Sequence, residues 1–342
     1  MNYTAMQKLC GAVKDVRKFP FTNARQLENW QEKARKQLNR LLNVVRDKHL
    51  SPPVFNGREI FKEHIREHWS IETEHGICMP FYLLIPQGKG PFPPAIAVHG
   101  HGFGAKEGVA GCSENPVIAA AAAEYNAGFG LELVRRGFLT AVPDVRGFGE
   151  RREKQHLGDE KVLESSCTEL SLLAIGVGRT LAGMFVTDLA ALADFLLGRE
   201  DAAGDLSCVG LSGGGLQTLL FSALDERVKN AVVSGFFYGA KKALFEMPQC
   251  ACNYAPGLWS DFEMCDIAAM IAPRRLFIET GDNDPLNGGL ENALAEGRAA
   301  AEAYRIAGAE ENFRQQVYGG GHRFYGIDSL SWLERAAKGM EK

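Results

Sequence analysis

A serine between glycines, directly after an apolar run, is the feature that most constrains the fold of this 342-residue chain. Residues 206–209 are typical of a buried strand, Gly-Leu-Ser-Gly-Gly follows at 210–214, and residues 216–221 favour a helix. A serine hydroxyl is a useful nucleophile only when a sharp turn holds it clear of the backbone beside a base. Side chains at the flanking glycines would clash with such a turn, so the pattern predicts that Ser212 is a nucleophile.

Two downstream loops supply an acid and a histidine in the chain order serine, acid, histidine. One loop, after the strand-like run 275–279, carries Asp282 and Asp284, and a later one carries three glycines followed by His322. Three glycines contribute little to core packing, but they let the backbone pass close to a substrate or present an imidazole. This order predicts a catalytic triad of Ser212, His322 and one of the two aspartates.

A loop with two histidines follows an upstream strand-like run. Its sequence is His99-Gly100-His101-Gly102, and it lies where enzymes with such a serine turn place an oxyanion-binding loop. The backbone N–H of His101 or Gly102 is one candidate donor, and that of Gly213 is the other. Zinc needs three or four protein ligands, and no third ligand is spaced to join the two histidines, so the sequence predicts no metal site.

The eight cysteines indicate reduced thiols. They are spread through the chain, and Cys-x-x-Cys spacing does not occur. Several of them, Cys208 among others, suit small buried positions. Cys250, Cys252 and Cys265 alone are close enough in sequence to form a metal site or a disulfide, and their spacing matches no zinc pattern.

Composition and charge exclude several classes of protein. A content of 46% hydrophobic and 23% charged residues is ordinary for a globular protein, and a net charge of −4 argues against a nucleic-acid or anionic membrane partner. The most apolar helical stretch, 181–197, carries Asp188 and Asp194, which a membrane span would not tolerate. Residues 1–18 lack the apolar run of a signal peptide. We therefore expect a cytoplasmic protein that acts on a small molecule, and self-association stays open.

Strand-like runs alternate with helical patterns from about residue 77 onward. The runs lie at 81–85, 95–98, 139–142, 207–211, 230–233, 276–279 and 313–318. The alternation predicts an α/β catalytic domain over 75–342, with a mostly parallel central sheet and helices on both faces. Residues 1–74, with polar helical patterning at 26–46, are predicted to form a helical N-terminal extension that packs on this domain or serves self-association.

Two segments that follow predicted strands carry further candidate side chains. Asp144 and Arg146 lie at the ligand side of the sheet, and their expected role is ion pairing that holds the next loop. The segment 236–270 is rich in aromatic residues and is predicted to be a cap or ordinary core. Tyr238 and Trp259 in this segment are candidates for binding substrate, since apolar walls with polar tips suit an acyl or sugar pocket.

Together these motifs resemble the dienelactone hydrolase and acetyl xylan esterase branch of the α/β-hydrolase superfamily. The matching motifs, within residues 75–340, are His-Gly-His-Gly at 99–102, Asp-x-Arg-Gly-x-Gly at 144–149, Gly-Arg-Thr-Leu-Ala-Gly-Met at 178–184, Gly-x-Ser-Gly-Gly at 210–214, Ala-Pro-Arg at 272–274, Gly-x-x-Asp-Pro at 281–285 and Gly-Gly-His-Arg-Phe at 320–324. The resemblance implies an α/β-hydrolase fold and no cofactor, and its Gly-x-x-Asp pattern places the acid at Asp284. Pro285 also restricts Asp284 to an extended conformation, whereas Asp282 is expected to cap the turn.

These observations predict a serine carboxylester hydrolase, with Ser212 as nucleophile, His322 as base and Asp284 as orienting acid. The expected substrate is a small acetylated saccharide or a similar ester, because secreted members of the branch act on polysaccharide and no export signal is visible here. Two alternatives are a serine exopeptidase or amidase of the same fold and a non-catalytic binding protein. The binding protein would have no use for an intact triad.

Overall fold

Nine strands form one mixed sheet in the computed structural model, which describes Lys8, Gly11 and residues 19–47 and 50–339. The strands are β1 (Val54–Ile60), β2 (His64–Glu74), β3 (Ile77–Pro86), β4 (Pro94–Val98), β5 (Leu139–Pro143), β6 (Leu206–Leu211), β7 (Val228–Ser234), β8 (Arg275–Gly281) and β9 (Phe313–Tyr318). Their order in the sheet is β1-β2-β3-β5-β4-β6-β7-β8-β9. Along this order, the three pairs between β1 and β5 are antiparallel, and the five pairs between β5 and β9 are parallel, which confirms the mostly parallel sheet.

Helices cover both faces of the sheet. They are α1 (Ala24–Leu42), α2 (Ala105–Val109), α3 (Pro116–Glu124), α4 (Phe129–Arg135), α5 (Cys167–Gly176), α6 (Leu181–Leu197), α7 (Gly213–Leu224), α8 (Leu258–Asp261), α9 (Met264–Ile271), α10 (Leu290–Ala307) and α11 (Ile327–Ala337). In β4, Ile96 and Val98 join the core beneath α6 and α7, while Ala95 and Ala97 join the core beneath α4 and α11. Successive strand residues point to opposite faces, so a strand covered on both sides must be apolar throughout.

The N-terminal extension is shorter than predicted. The prediction placed residues 1–74 in a helical unit, but β1 and β2 occupy 54–60 and 64–74 and join the sheet through β3. Antiparallel neighbours need only a tight turn between them, so these two strands form without an intervening helix. The helix of the extension for which the structure gives both ends is α1.

Helix α1 packs on the sheet domain. Asn23 caps its first turn by accepting a hydrogen bond from Gln26 N. Gln31, buried on its inner face, donates from Nε2 to the carbonyl oxygens of Ala269 at 2.7 Å and Ala272 at 2.6 Å. Of the two roles left open for the extension, packing on the main domain is therefore the one observed for this helix.

No single helix in the described part of the chain is long and apolar enough to cross a membrane. The helices α5 and α6 meet the length and composition requirement only as a pair, and a bend of 101° separates them.

Candidate active site

Ser212 occupies a strained turn between β6 and α7. Its φ of 59° and ψ of −125° lie where residues other than glycine are rarely found. A methyl group on Gly210 would lie 2.1 Å from the carbonyl oxygen of Gly214, and one on Gly214 would lie 2.1 Å from that of Val98. Both positions admit only glycine, as the motif predicts, and the turn presents Ser212 at the carboxyl edge of the parallel strands.

Replacing Gly210 with alanine is expected to destabilise the protein by about 1–3 kcal/mol, the usual cost of overpacking. The obstruction is a backbone carbonyl, so no change of side-chain rotamer relieves it. Gly176→Ala is the matched control, because a methyl group there meets no atom within 4 Å. Urea unfolding followed by circular dichroism measures both variants. Equal midpoints for the two would contradict the close approach at Gly210.

An acid and an imidazole meet beside this turn. His322 Nδ1 lies 2.7 Å from Asp284 Oδ2, and the Asp284 carboxylate is fully buried. Asp284 follows β8 with φ −70° and ψ 115°, the extended conformation that Pro285 favours. Leu286 N donates to the other carboxylate oxygen at 2.9 Å. The contact turns Nδ1 of His322 toward the acid, which leaves Nε2 as the available ring nitrogen.

The imidazole lies next to the turn that carries Ser212. Ser212 N donates to Ser234 O at 2.8 Å, at the end of β7. A methyl group on the next residue, Gly235, would lie 3.0 Å from Cε1 of His322 and 3.4 Å from Cδ1 of Leu211. The missing side chain at Gly235 thus makes room for the ring. The Ser212 hydroxyl has no hydrogen-bond partner among the described residues.

The other two acids of this region hold the loop around His322. Asp282 is exposed, and its Oδ1 accepts a hydrogen bond from Gly320 N at 2.9 Å instead of capping its own turn. Glu279 is buried and accepts from Tyr325 N at 3.0 Å. Burial raises the pKa of the Glu279 carboxyl. The acid in contact with His322 is Asp284, as the sequence predicts.

The loop after β4 packs against the serine turn. A methyl group on Gly100 would lie 2.6 Å from Leu211 O and 3.2 Å from Gly213 N. The His101 ring lies on the same side, with Nδ1 3.1 Å from where a methyl group on Gly213 would be. The structure therefore brings the two predicted oxyanion donors, the amides of Gly213 and His101, into one region.

His99 orders this loop from its buried side. Its Nδ1 lies 3.0 Å from Gly100 O, and its Nε2 accepts a hydrogen bond from Val145 N at 3.2 Å. Burial lowers the pKa of His99 to about 4, so the ring is neutral at pH 7. A neutral imidazole has one donor and one acceptor, which matches these two partners. His99 therefore orders the loop through hydrogen bonds at both ring nitrogens.

Comparison with known proteins gives the family. A model described as the Abhydrolase family matches residues 2–176, just over half of the chain. The chain belongs to this family of α/β-hydrolases. The match includes the His99 and His101 loop and ends before Ser212, so it is independent of the serine motif. The α/β-hydrolase resemblance is confirmed, and the protein is an enzyme of the hydrolase class.

Relatives of the hydrolase share most of its length. "Putative hydrolase YtaP" of Bacillus subtilis (strain 168) is 27% identical in an alignment of 300 residues, which covers 80% of this chain and 90% of that protein. The structure of a putative acetyl xylan esterase from Bacteroides fragilis NCTC 9343 matches with a TM-score of 0.79 at 17% identity, over 98% of this chain and 89% of the other. Glucuronoyl esterase from Solibacter usitatus matches with a TM-score of 0.66 at 13% identity, over 96% and 100%. At these identities the solved structures establish the fold.

Buried ion pairs hold the loop after β5 in the hydrolase. Lys106 Nζ lies 2.7 Å from Asp144 Oδ2, and Arg146 Nη2 lies 2.9 Å from Asp188 Oδ1. Burial alone would raise the pKa of Asp144, but the Lys106 ammonium lowers it below its usual value. Asp144 and Arg146 thus have the loop-holding role expected of them, each with its own partner.

The aromatic segment 236–270 is packed into the hydrolase core. Tyr238 is 0% exposed and Trp259 is 2% exposed. Tyr238 Oη is hydrogen-bonded to Gln249, and Trp259 Nε1 donates to Asn253 O at 2.9 Å. Burial contradicts the prediction that these two side chains line a substrate pocket. Both side chains stabilise the segment by packing and hydrogen bonding inside it. Of the two predictions for this segment, cap or ordinary core, their burial agrees with core.

Sequence reasoning missed a cluster of four side chains around His101, in the loop after β4. His101 Nε2 lies 3.3 Å from Cys167 Sγ and 3.5 Å from Cys252 Sγ. Cys250 Sγ lies 2.8 Å from Cys167 Sγ. Three thiols surround His101, and His99 is not in the cluster, so the group of possible metal ligands joins one histidine to three cysteines instead of pairing the two histidines. Cys265, which is close to Cys250 and Cys252 in sequence, is buried outside this cluster.

Proposed function

We propose that the protein is a serine carboxylester hydrolase with Ser212, His322 and Asp284 as its catalytic triad. The observation that carries the proposal is the 2.7 Å contact between His322 and Asp284 beside the strained turn of Ser212. An acid at Nδ1 selects the tautomer in which Nε2 accepts a proton. Membership of a hydrolase family supports this activity over binding alone.

In the proposed reaction, His322 Nε2 takes the proton of Ser212 Oγ as that oxygen attacks the ester carbonyl carbon. The N–H groups of Gly213 and His101 bind the oxyanion, and Asp284 stabilises the imidazolium. The tetrahedral intermediate then expels the alcohol, which receives the proton from Nε2. Water attacks the acyl-enzyme with His322 as base again, which releases the carboxylic acid and restores the Ser212 hydroxyl.

The proposed substrate is a small acetylated saccharide or a similar ester, used in the cytoplasm. Support comes from two proteins of the same fold, whose names describe an acetyl xylan esterase and a glucuronoyl esterase. Because one fold hosts many chemistries, the acyl group and the alcohol need a direct measurement.

A substrate panel tests this proposal. We expect kcat/KM to be highest for p-nitrophenyl acetate and acetylated sugars. Lengthening the acyl chain by a few methylene groups should lower kcat/KM by about tenfold or more, since a pocket sized for acetyl excludes longer chains. Aminoacyl p-nitroanilides are expected to react far more slowly. Faster cleavage of the anilides would favour the exopeptidase alternative, and inactivity toward every ester would contradict the proposal.

A further inference from the structure

The cluster of His101, Cys167, Cys250 and Cys252 lies outside the proposed triad, and we infer that it is a zinc-binding site. Its four ligating atoms all lie within 4.8 Å of one another. Three thiols and one imidazole form a donor set that proteins use for structural zinc. Soft sulfur donors also favour zinc over the oxygen-preferring magnesium and calcium ions.

The distances in the cluster are close to those of a zinc tetrahedron. With Zn–S bonds of about 2.3 Å and Zn–N bonds of about 2.0–2.1 Å, the nitrogen–sulfur edges are roughly 3.5 Å and the sulfur–sulfur edges roughly 3.8 Å. The His101 Nε2 distances to Cys167 Sγ and Cys252 Sγ are 3.3 and 3.5 Å. Cys250 Sγ, 2.8 Å from Cys167 Sγ, would move outward by about 1 Å on binding. Cys250 is half-buried, unlike Cys167 and Cys252, which are buried.

The four ligands come from three distant parts of the chain. His101 belongs to the loop after β4, Cys167 is the first residue of α5, and the other two flank Ala251 in the segment 236–270. Four protein ligands complete the tetrahedron, so the metal has no open position for water and acts as a structural cross-link. It would join the loop that carries His101 to both other segments.

Neighbouring groups suit thiolates at this site. Ser165 Oγ lies 3.1 Å from Cys167 Sγ, and Thr168 Oγ1 lies 3.8 Å from Cys250 Sγ. Hydroxyl groups in this position donate hydrogen bonds to metal-bound sulfur and orient it. The Phe148 ring packs edge-on against the His101 ring, with centroids 4.9 Å apart. Cys167 and Cys252 are buried, so solvent has little access to the metal.

The site has a consequence for the active site that rests on the proposed esterase function. Zinc on Nε2 of His101 would fix the ring that packs against Gly213. The loop backbone that donates the second oxyanion hydrogen bond would then be fixed as well. His101 is in this respect a positioning residue, and loss of zinc would lower kcat more than it raises KM.

Metal binding can be measured without any substrate. We expect the purified, reduced full-length chain to contain one zinc per molecule by elemental mass spectrometry. Replacement with Co²⁺ should give the visible bands of tetrahedral cobalt and a near-ultraviolet thiolate-to-cobalt band. Cys250→Ser should weaken Co²⁺ binding by more than roughly 10- to 100-fold, which is the loss of affinity when a residue that only hydrogen-bonds to a metal ligand is removed. Cys78→Ser, at an exposed cysteine outside the cluster, is the matched control and should bind as the wild type does.

Peptide mapping after alkylation covers the case in which Cys250→Ser does not fold. In wild-type protein, zinc should protect the half-buried Cys250 from iodoacetamide and its removal should make that thiol react, whereas the exposed Cys78 should react with or without metal. A reduced protein that binds neither zinc nor cobalt would overturn the inference, as would a Cys167–Cys250 disulfide in the metal-free native protein. Retention of full affinity in a folded Cys250→Ser variant would also overturn it. These spectra report on the metal alone, so failure of the proposed esterase activity would be seen separately.

Discussion

Replacing Ser212 with alanine is expected to lower kcat toward p-nitrophenyl acetate by about 10⁶-fold, the scale observed when the serine of such a triad is lost. The reason is that no other group would form the acyl-enzyme. The fold should survive, because the Ser212 hydroxyl has no hydrogen-bond partner among the described residues and alanine is no more strained at a φ of 59°. Steady-state kinetics and circular dichroism measure the two effects.

Labelling with an organophosphonate gives a second readout for Ser212. We expect one adduct per wild-type chain, located at this residue by peptide mass spectrometry, and none in Ser212→Ala. Ser207→Ala is the control, because it removes a different serine hydroxyl, in β6, the strand that leads into the turn. It should keep both activity and labelling. An adduct that persists in Ser212→Ala would assign the nucleophile elsewhere.

The parallel part of the sheet could be predicted because its strands are buried on both faces. β4, β5 and β6 are buried at every position, and such strands appear in sequence as short apolar runs between helices. All seven predicted runs fall within β3 to β9.

The two N-terminal strands could not be predicted in this way. β1 lies at the edge of the sheet and is almost wholly exposed, so it has no apolar alternation. β2 buries charged residues, among them Arg66 and Glu67, which pair with Glu59 and Arg58 of β1. Their burial depends on those partners, which strand patterning alone does not reveal.

The candidate site likewise has parts that could be predicted from local sequence and parts that form only in the folded chain. The serine turn could be predicted because its glycines form a short motif, and at two of them, Gly210 and Gly214, a backbone oxygen lies 2.1 Å from where a methyl group would be. The His101 and cysteine cluster could not, because its ligands are up to 151 positions apart and meet only in the folded chain. Tyr238 and Trp259 were predicted to bind substrate because of their residue types. Residue type alone does not reveal whether an aromatic side chain is buried in the core or lines a pocket.

The choice of acid depends on which carboxylate can orient the imidazole. Asp284 Oδ2 is the oxygen 2.7 Å from His322 Nδ1, and its Oδ1 is already occupied by Leu286 N. In Asp284→Asn the amide oxygen would keep the Leu286 hydrogen bond, and the NH₂ group would face Nδ1. An NH₂ group can only donate to Nδ1, which moves the ring proton to Nε2 and leaves His322 unable to act as a base.

We therefore expect Asp284→Asn to lower kcat by about 10⁴-fold with the fold intact, as loss of the orienting acid does in other serine triads. Asp282→Asn is the matched control, two residues away. Its side-chain oxygen can still accept the hydrogen bond from Gly320 N, so the loss should stay under about tenfold. Steady-state kinetics on the same ester compares the two variants. The reverse ranking would transfer the orienting role to Asp282. Small losses in both would place the acid elsewhere, and Glu279, at the end of the same strand, would be the next residue to replace.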